Sequence, residues 1–120
     1  MQSLISRFWR GRRHAQPAWI DAAELQRRQA AGSVLLVDVR QPEEFTAPPG
    51  HVPGAINMPL GELPARTTEL AARSAPVVLV CKTDRRSARA AAELIAAGFR
   101  DVAVLRGGTD GWHARGLALE

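Results

Sequence analysis

Three short runs of consecutive apolar residues limit the folds that this 120-residue chain can adopt. They occupy residues 34–37, 77–80 and 102–105 and consist of valine, leucine and alanine. A strand with one face in water alternates apolar and polar residues, so an uninterrupted run of this length indicates a strand buried on both faces. Such strands, separated by helices along the chain, predict a parallel sheet of the α/β class.

A helix is predicted before the first of these runs. Asp21 can cap its amino end, because Glu24 follows three residues later as in a capping box. The residues predicted on one side of this helix are Ala22, Leu25 and Gln29. Gly32 is predicted to end it.

Residues 87–97 predict a second helix between the last two runs, with Gly98 closing it. The predicted apolar stripe of this helix consists of Ala88, Ala91, Ala92 and Ile95. A short helical turn is also predicted after Pro42, where Glu43 and Glu44 suit the positive end of the helix dipole.

The formal net charge of +4 comes from one end of the chain. Residues 1–14 contain four arginines and no acid, and the rest of the chain has equal numbers of acidic and basic residues. We therefore divide the chain into a basic leader, residues 1–16, and a domain, residues 17–120. Because the domain has neither a basic excess nor a nucleic-acid-binding motif, we expect no nucleic-acid partner.

The leader is open to three interpretations. As a helix it would place Leu4, Ile5, Phe8 and Trp9 on one side, which suits a surface helix on anionic lipid or in a partner's groove. Its arginines and lack of acids also resemble a transit peptide. We favour a frayed terminus, because isolated helices this short are marginal in water. The apolar runs are too short to cross a bilayer.

The single cysteine, Cys81, directly follows the second apolar run. In open parallel sheets, ligands bind beyond the carboxyl ends of the strands, so this thiol lies where such folds carry out chemistry. Lys82, Arg85 and Arg86 follow it, and the chain must turn there into a helix whose first N–H groups point into the turn. These surroundings favour the thiolate and would hold an anion against it. The alternative is a small buried side chain with no reactivity.

The loop at Cys81 and four further motifs resemble the rhodanese single-domain sulfurtransferases. The motifs are LVDVR at 36–40, PEEF at 42–45, GHVPGAIN at 50–57 and GGTDGW at 107–112. The resemblance implies a five-stranded parallel sheet with helices on both faces. It also implies that Cys81 accepts a sulfane sulfur and passes it on, without a metal or organic cofactor. The residues that would line the site are Lys82, Thr83, Asp84, Arg85 and Arg86.

The length of the loop separates this family from related cysteine phosphatases. Arg86 is the fifth residue after Cys81, which matches the six-residue loop of the sulfurtransferases. The phosphatases place their arginine one residue later, where this chain has Ser87. Phosphatase activity is therefore disfavoured.

Two features depart from the family pattern. Asp84 occupies a position that is commonly glycine and that can require a positive φ. A carboxylate facing inward there would oppose the anion, and we favour an outward side chain that caps the following helix or pairs with Arg85. The second departure is a longer loop, TAPP at residues 46–49, which is predicted to reshape one wall of the site.

The remaining candidate residues are interpreted mainly as scaffold. Asp38 and Arg40 follow a strand end and could meet the active loop, but a structural ion pair is favoured. Ser87 follows the loop and is expected beside it. His51 is interpreted as a hydrogen-bonded turn residue, and Trp112 as a core residue of the last helix.

Two functional hypotheses remain open. In the first, Cys81 carries sulfur from thiosulfate or another persulfide donor to cyanide or a thiol, and Arg86 helps to orient the anion. In the second, the chain is a catalytically idle rhodanese-like module used for binding or sensing. A persulfide-donating or -accepting protein is a further candidate partner. We expect a monomer or weak dimer. We also expect a cytoplasmic location, because a single cysteine favours a reducing compartment.

Overall fold

The computed structural model describes residues 16–120. Residues 1–15 lie outside this part, and the three interpretations of the leader lie outside it with them. The described part contains five strands: β1 Ala18–Ile20, β2 Leu35–Asp38, β3 Ile56–Asn57, β4 Val77–Val80 and β5 Val102–Leu105. All neighbouring strands pair in parallel, in the order β1-β5-β4-β2-β3.

Helices cover both faces of this sheet. Those within the described part are α1 Ala22–Ala30, α2 Pro42–Thr46, α3 Leu63–Ala71, α4 Arg85–Ala96 and α5 Gly108–Ala114, with a 3-10 turn Leu60–Glu62 before α3. Helices α3 and α4 pack on one face, and α1 and α5 pack on the other. Along β4, Val77 and Leu79 face the first core and Val78 and Val80 face the second. The predicted fold class is therefore confirmed.

The cap of α1 forms as predicted. The backbone N–H of Glu24 donates to Oδ1 of Asp21 at 2.8 Å. Ala22 and Leu25 are buried, and Gly32 follows the helix with a φ of 73°. Within residues 16–120, no helix is long and apolar enough to cross a membrane.

The prediction of α4 is partly wrong. The helix begins at Arg85 rather than at Ser87. Of the predicted stripe, Ala91 is buried and Ile95 packs against the core, but Ala92 is exposed, and the other buried residues are Ser87, Ala90 and Leu94. The helix starts directly after the loop and sets Ser87 against Cys81, which rotates Ala92 outward. In addition, β1 and β3 have only 3 and 2 residues, so only the family resemblance, and no pattern of residues, predicted five strands.

Candidate active site

Cys81 lies where β4 ends and the chain turns toward α4. Its residue is 1% exposed, so the thiol is at the bottom of the loop rather than on its rim. The backbone N–H of Ser87 donates to Sγ at 3.4 Å, and Oγ of the same serine lies 3.4 Å from Sγ. Ser87 is fully buried, so both contacts are shielded from water. Ser87 therefore lies beside the loop, as expected, and it also contacts the thiol.

The carbonyl groups of the first three loop residues, Cys81, Lys82 and Thr83, face helix α5. The carbonyl of Cys81 accepts from the N–H of Thr109 at 2.9 Å, and that of Lys82 accepts from the N–H of Asp110 at 3.0 Å. A Cβ built on Gly108 would collide with the carbonyl oxygens of Cys81, Lys82 and Thr83, so these three oxygens lie directly against its Cα. The absence of a side chain at Gly108 is what allows this approach.

The N–H groups of the loop point the opposite way. In a trans peptide the C=O and the following N–H point in opposite directions, so the three carbonyls fix the N–H groups of residues 82–84 away from α5. None of the N–H groups of residues 82–86 has a hydrogen-bond acceptor within residues 16–120. A set of unpaired N–H groups at the start of a helix is an anion-binding arrangement.

Two of the cations predicted to face the anion are paired with acids instead. Arg86 donates to Glu44 through two bonds, Nη1 to Oε1 at 2.6 Å and Nη2 to Oε2 at 2.9 Å. Lys82 donates from Nζ to Oδ2 of Asp110 at 2.7 Å. Neither pair was predicted from the sequence, because the partners are 42 and 28 residues apart. These pairs tie the loop to α2 and α5.

Asp84 takes the N-cap position of α4, but its side chain makes no capping hydrogen bond. It forms no ion pair with Arg85, and Arg85 has no acidic partner in the described range. Both expected roles of this carboxylate are therefore wrong. Its φ is −153°, so the loop does not require a left-handed residue where the family commonly has glycine.

Asp38 and Arg40 form the predicted ion pair beneath the site. Nε and Nη2 of Arg40 donate to the carboxylate at 2.9 to 3.1 Å, and the side chains are 7% and 0% exposed for Arg40 and Asp38. Arg40 also donates to the carbonyl of Gly50 at 3.0 Å. Asn57 donates from its amide to the carbonyls of both Asp38 and Arg40. The pair therefore joins β2, β3 and the turn at Gly50.

His51 and Trp112 have the scaffold contacts predicted for them. Nδ1 of His51 is 2.9 Å from the carbonyl oxygen of Phe45, to which it donates, and the two rings stack with centroids 3.7 Å apart. Trp112 is 4% exposed and donates from Nε1 to the carbonyl of Ala118 at 2.9 Å.

A cavity of about 260 Å³ adjoins the loop on the side of Lys82. Pro48 and Pro49 line it, so the longer 46–49 loop contributes a wall there. Arg40 and Glu44 line it as well, and they connect it to their ion pairs with Asp38 and Arg86.

Glu44 is the site residue that sequence reasoning missed most clearly, since it was assigned only to a helical turn. Its hydrogen bonds from Arg86 lower its pKa from the ordinary 4.5 to about 2. The backbone N–H of Gln41 donates to the same carboxylate at 3.2 Å and contributes a smaller part of this lowering of the pKa. An acid in a family motif near a strand end was the available signal. Gly108 was missed as a support of the loop, although its motif was recognised.

We expect Glu44→Gln to destabilise the protein at neutral pH by about 1 kcal/mol or less, because the pair is partly exposed and solvent screens it. A carboxyl whose pKa is lowered on folding stabilises the protein above its unfolded pKa, and this contribution disappears as the pH falls through the folded pKa. The difference between variant and wild type should therefore shrink between pH 4.5 and about pH 2. Urea unfolding across that range measures it.

The matched control is Glu43→Gln, which removes a neighbouring carboxylate that has no ion pair among the described residues. It should change the free energy of unfolding far less. A destabilisation by Glu44→Gln that stayed constant between pH 7 and pH 2 would contradict the assignment of the low pKa to this pair.

Comparison with known proteins identifies the family. The model of the rhodanese-like domain matches residues 21–115. A sulfurtransferase of Allochromatium vinosum is 37% identical over 101 residues, which cover 83% of this chain and 92% of that protein. The thiosulfate sulfurtransferase GlpE of Pseudomonas putida is 36% identical over 93 residues, covering 78% and 79%. Three other relatives are longer, and the matched region spans only 22%, 61% and 50% of them.

Solved structures agree on the fold. The human single-domain sulfurtransferase superposes with a TM-score of 0.70 at 28% identity, covering 82% of this chain and 96% of that one. A Rhodopseudomonas palustris protein of unknown function, described as a possible tyrosine phosphatase, gives a TM-score of 0.79 at 25% identity, covering 87% and 85%. The chain belongs to the rhodanese-like family, and its relatives support a sulfurtransferase.

Proposed function

We propose that this protein moves a sulfane sulfur from thiosulfate or another persulfide donor to cyanide or a thiol through a persulfide on Cys81. The observation that carries the proposal is the active loop. Its first three carbonyls face α5, its N–H groups are unpaired within residues 16–120, and it surrounds a cysteine at a strand end. The name of the Pseudomonas putida relative supports thiosulfate as a donor.

In the first step, the thiolate of Cys81 attacks the outer sulfur of thiosulfate. The S–S bond of thiosulfate breaks, sulfite leaves with the electron pair, and the sulfane sulfur remains on Cys81 as an anionic persulfide. In the second step, cyanide attacks that terminal sulfur, thiocyanate leaves, and Cys81 is released as a thiolate. The unpaired N–H groups can stabilise the persulfide and the charge that develops in both transition states. Neither step consumes an oxidant or a reductant.

The ion pairs of the loop have a positioning role in this proposal. Arg86 is occupied by Glu44, and Lys82 by Asp110, so both cations hold the loop as well as contribute positive potential near the thiol. The N–H groups then provide most of the direct contacts to the anion. This differs from the expectation that Arg86 itself orients the donor.

The second candidate is a binding or sensing module without turnover. The observation that favours it is the burial of Cys81, whose residue is only 1% exposed. A phosphatase is a weaker candidate, because a six-residue loop with Arg86 at its end is built around a smaller group than phosphate. The similarity to the Rhodopseudomonas palustris structure is a similarity of backbone fold, so it does not change the argument from loop length against a phosphatase.

The mass of the intact protein after incubation with thiosulfate tests the proposal. We expect the wild type to gain the mass of one sulfur, Cys81→Ser to gain none, and cyanide to remove the added sulfur with release of thiocyanate. No gain from thiosulfate or from a small organic persulfide, in a folded protein whose thiol still reacts with an alkylating agent, would favour the binding module.

The proposed partners are a small anionic sulfur donor and a thiophilic acceptor, with a persulfide-carrying protein as a further candidate. A cytoplasmic location belongs to the same proposal, because a reactive thiol needs a reducing compartment to remain unmodified.

A further inference from the structure

The cavity beside the active loop has a mainly apolar wall. Residues 47–50, with Pro48 and Pro49, line it together with Leu119. Lys82 and Asp110 line it as well. Leu119 also packs against the core on the α5 side of the sheet, and the backbone of Glu120 exchanges two hydrogen bonds with His51. The wall at Leu119 is therefore held in place by the fold.

The charges around this cavity are already paired. Lys82 is bound to Asp110 at 2.7 Å, Glu44 to Arg86, and Arg40 to the buried Asp38. Lys82 and Arg40 are the lysine and arginine that line the cavity, and each is paired with an acidic side chain among the described residues. A small dianion would gain little by leaving the N–H groups of the loop for this space, whereas the transfer of an uncharged apolar group from water into it is favourable.

The size of the cavity also exceeds what inorganic substrates require. A dry apolar cavity of roughly 150 Å³ can hold a benzene molecule. The volume here is about 260 Å³, which is sufficient for an alkyl chain of several carbons. Cyanide carries no such group.

We propose that this cavity binds the apolar body of an organic thiol that acts as the sulfur acceptor. The inference rests on the proposed function, and it names the acceptor class for the same site. The acceptor thiol gives its proton to the anionic Cys81 persulfide, and the resulting thiolate attacks the terminal sulfur. The S–S bond breaks, Cys81 leaves as a thiolate with the electron pair, and the acceptor departs as an organic persulfide that carries the sulfur and its proton.

Two substitutions change the cavity in opposite ways. Leu119→Ala removes an apolar side chain from the lining, and Ala47→Leu fills the space from the exposed 47–49 segment. The matched control is Leu117→Ala, because Leu117 packs against the same core as Leu119 and does not line the cavity. None of these residues touches Cys81 or the N–H groups of its loop.

The experiment measures how fast each acceptor removes sulfur from protein loaded beforehand. The acceptors are ethanethiol, butane-1-thiol and hexane-1-thiol, which share the same reacting group, and cyanide. In the wild type we expect the second-order rate constant to rise at least about tenfold from ethanethiol to hexane-1-thiol, since each buried methylene is favourable. Leu119→Ala and Ala47→Leu should reduce this rise by about threefold or more and leave the cyanide rate unchanged. Leu117→Ala should keep the rise.

Equal rate constants for the three thiols in the wild type would overturn the inference, as would an equal effect of Leu117→Ala and Leu119→Ala. A second measurement is independent of turnover. Hexan-1-ol is titrated into Cys81→Ser, and the methyl NMR signals of Ala47 and Leu119 are followed. If no donor loads sulfur onto the wild type, the proposed function fails, but the titration still tests whether the cavity binds an apolar group. Saturable shifts of these methyl signals support the binding site, and their absence overturns it.

Discussion

Gly108→Ala is expected to reduce sulfur transfer by at least about 100-fold, comparable to the loss of oxyanion-hole donors in other enzymes. The new methyl group would occupy the space now taken by the carbonyl oxygens of Cys81, Lys82 and Thr83. These are backbone atoms, so they cannot move aside by rotating a side chain. The loop would have to shift, and its N–H groups would lose their common direction.

A φ of 59° adds to this effect, because an L-residue is strained in that conformation. Gly107→Ala separates the two causes. Gly107 has a φ of 80°, but its Cβ would meet only the backbone of Gly111, with the Cα at 3.5 Å, an ordinary contact. We expect Gly107→Ala to lower stability and to retain most of the transfer rate in the folded protein.

Steady-state kinetics with thiosulfate and cyanide, together with urea unfolding, measure both variants. Gly61→Ala serves as the neutral control, since a Cβ added there would have no neighbour within 4 Å and its φ is not positive. Full activity of a folded Gly108→Ala protein would show that the carbonyl contacts with α5 do not set the loop.

Asp38→Asn should destabilise the protein by about 3–5 kcal/mol, because it leaves the guanidinium of Arg40 buried without its counter-charge. The side chains of this pair are 0% and 7% exposed, so water cannot replace the lost carboxylate. The amide keeps the size of the carboxylate, and the loss therefore reports charge rather than a cavity.

Urea unfolding at neutral pH measures this loss. The matched control is Glu24→Gln, which breaks the exposed pairs of Glu24 with Arg27 and Arg28 and should cost about 1 kcal/mol or less. If Asp38→Asn will not fold, the double variant Asp38→Leu with Arg40→Met provides the measurement, because removal of both charges should recover much of the stability. Equal effects of Asp38→Asn and Glu24→Gln would refute the role of the buried pair.

The sequence predicted those parts of the fold that depend on local pattern. The apolar runs at β4 and β5 match the observed strands at both ends, and β2 is shifted by a single residue. By contrast, β1 and β3 have 3 and 2 residues and acquire their strand conformation from their neighbours β5 and β2. Periodicity cannot reveal segments this short, because alternation indicates a strand only when it continues over roughly four to eight residues.

The site shows the same division. The position of Cys81 at a strand end was predicted from the topology of the sheet. The position of Ser87 was predicted from its place in the sequence directly after the loop. The partners of Arg86 and Lys82 could not be predicted, since Glu44 and Asp110 come from distant helices and meet the loop only when the sheet is assembled. The rotation of α4 was also set by a tertiary contact, that between Ser87 and Cys81, rather than by the periodicity of its alanines.

The strand order has a consequence for synthesis on the ribosome. β1 pairs with β5, with Ala18 opposite Ala103. The first strand of the described part therefore has no pairing partner until β5, the last strand, has been synthesised. The hydrogen bonds from Thr109 and Asp110 to the carbonyls of Cys81 and Lys82 depend on residues that come later still along the chain. A nascent chain that stops short of α5 therefore carries Cys81 without the backbone arrangement around it, and competence for sulfur chemistry would arise only when nearly the whole domain has been released.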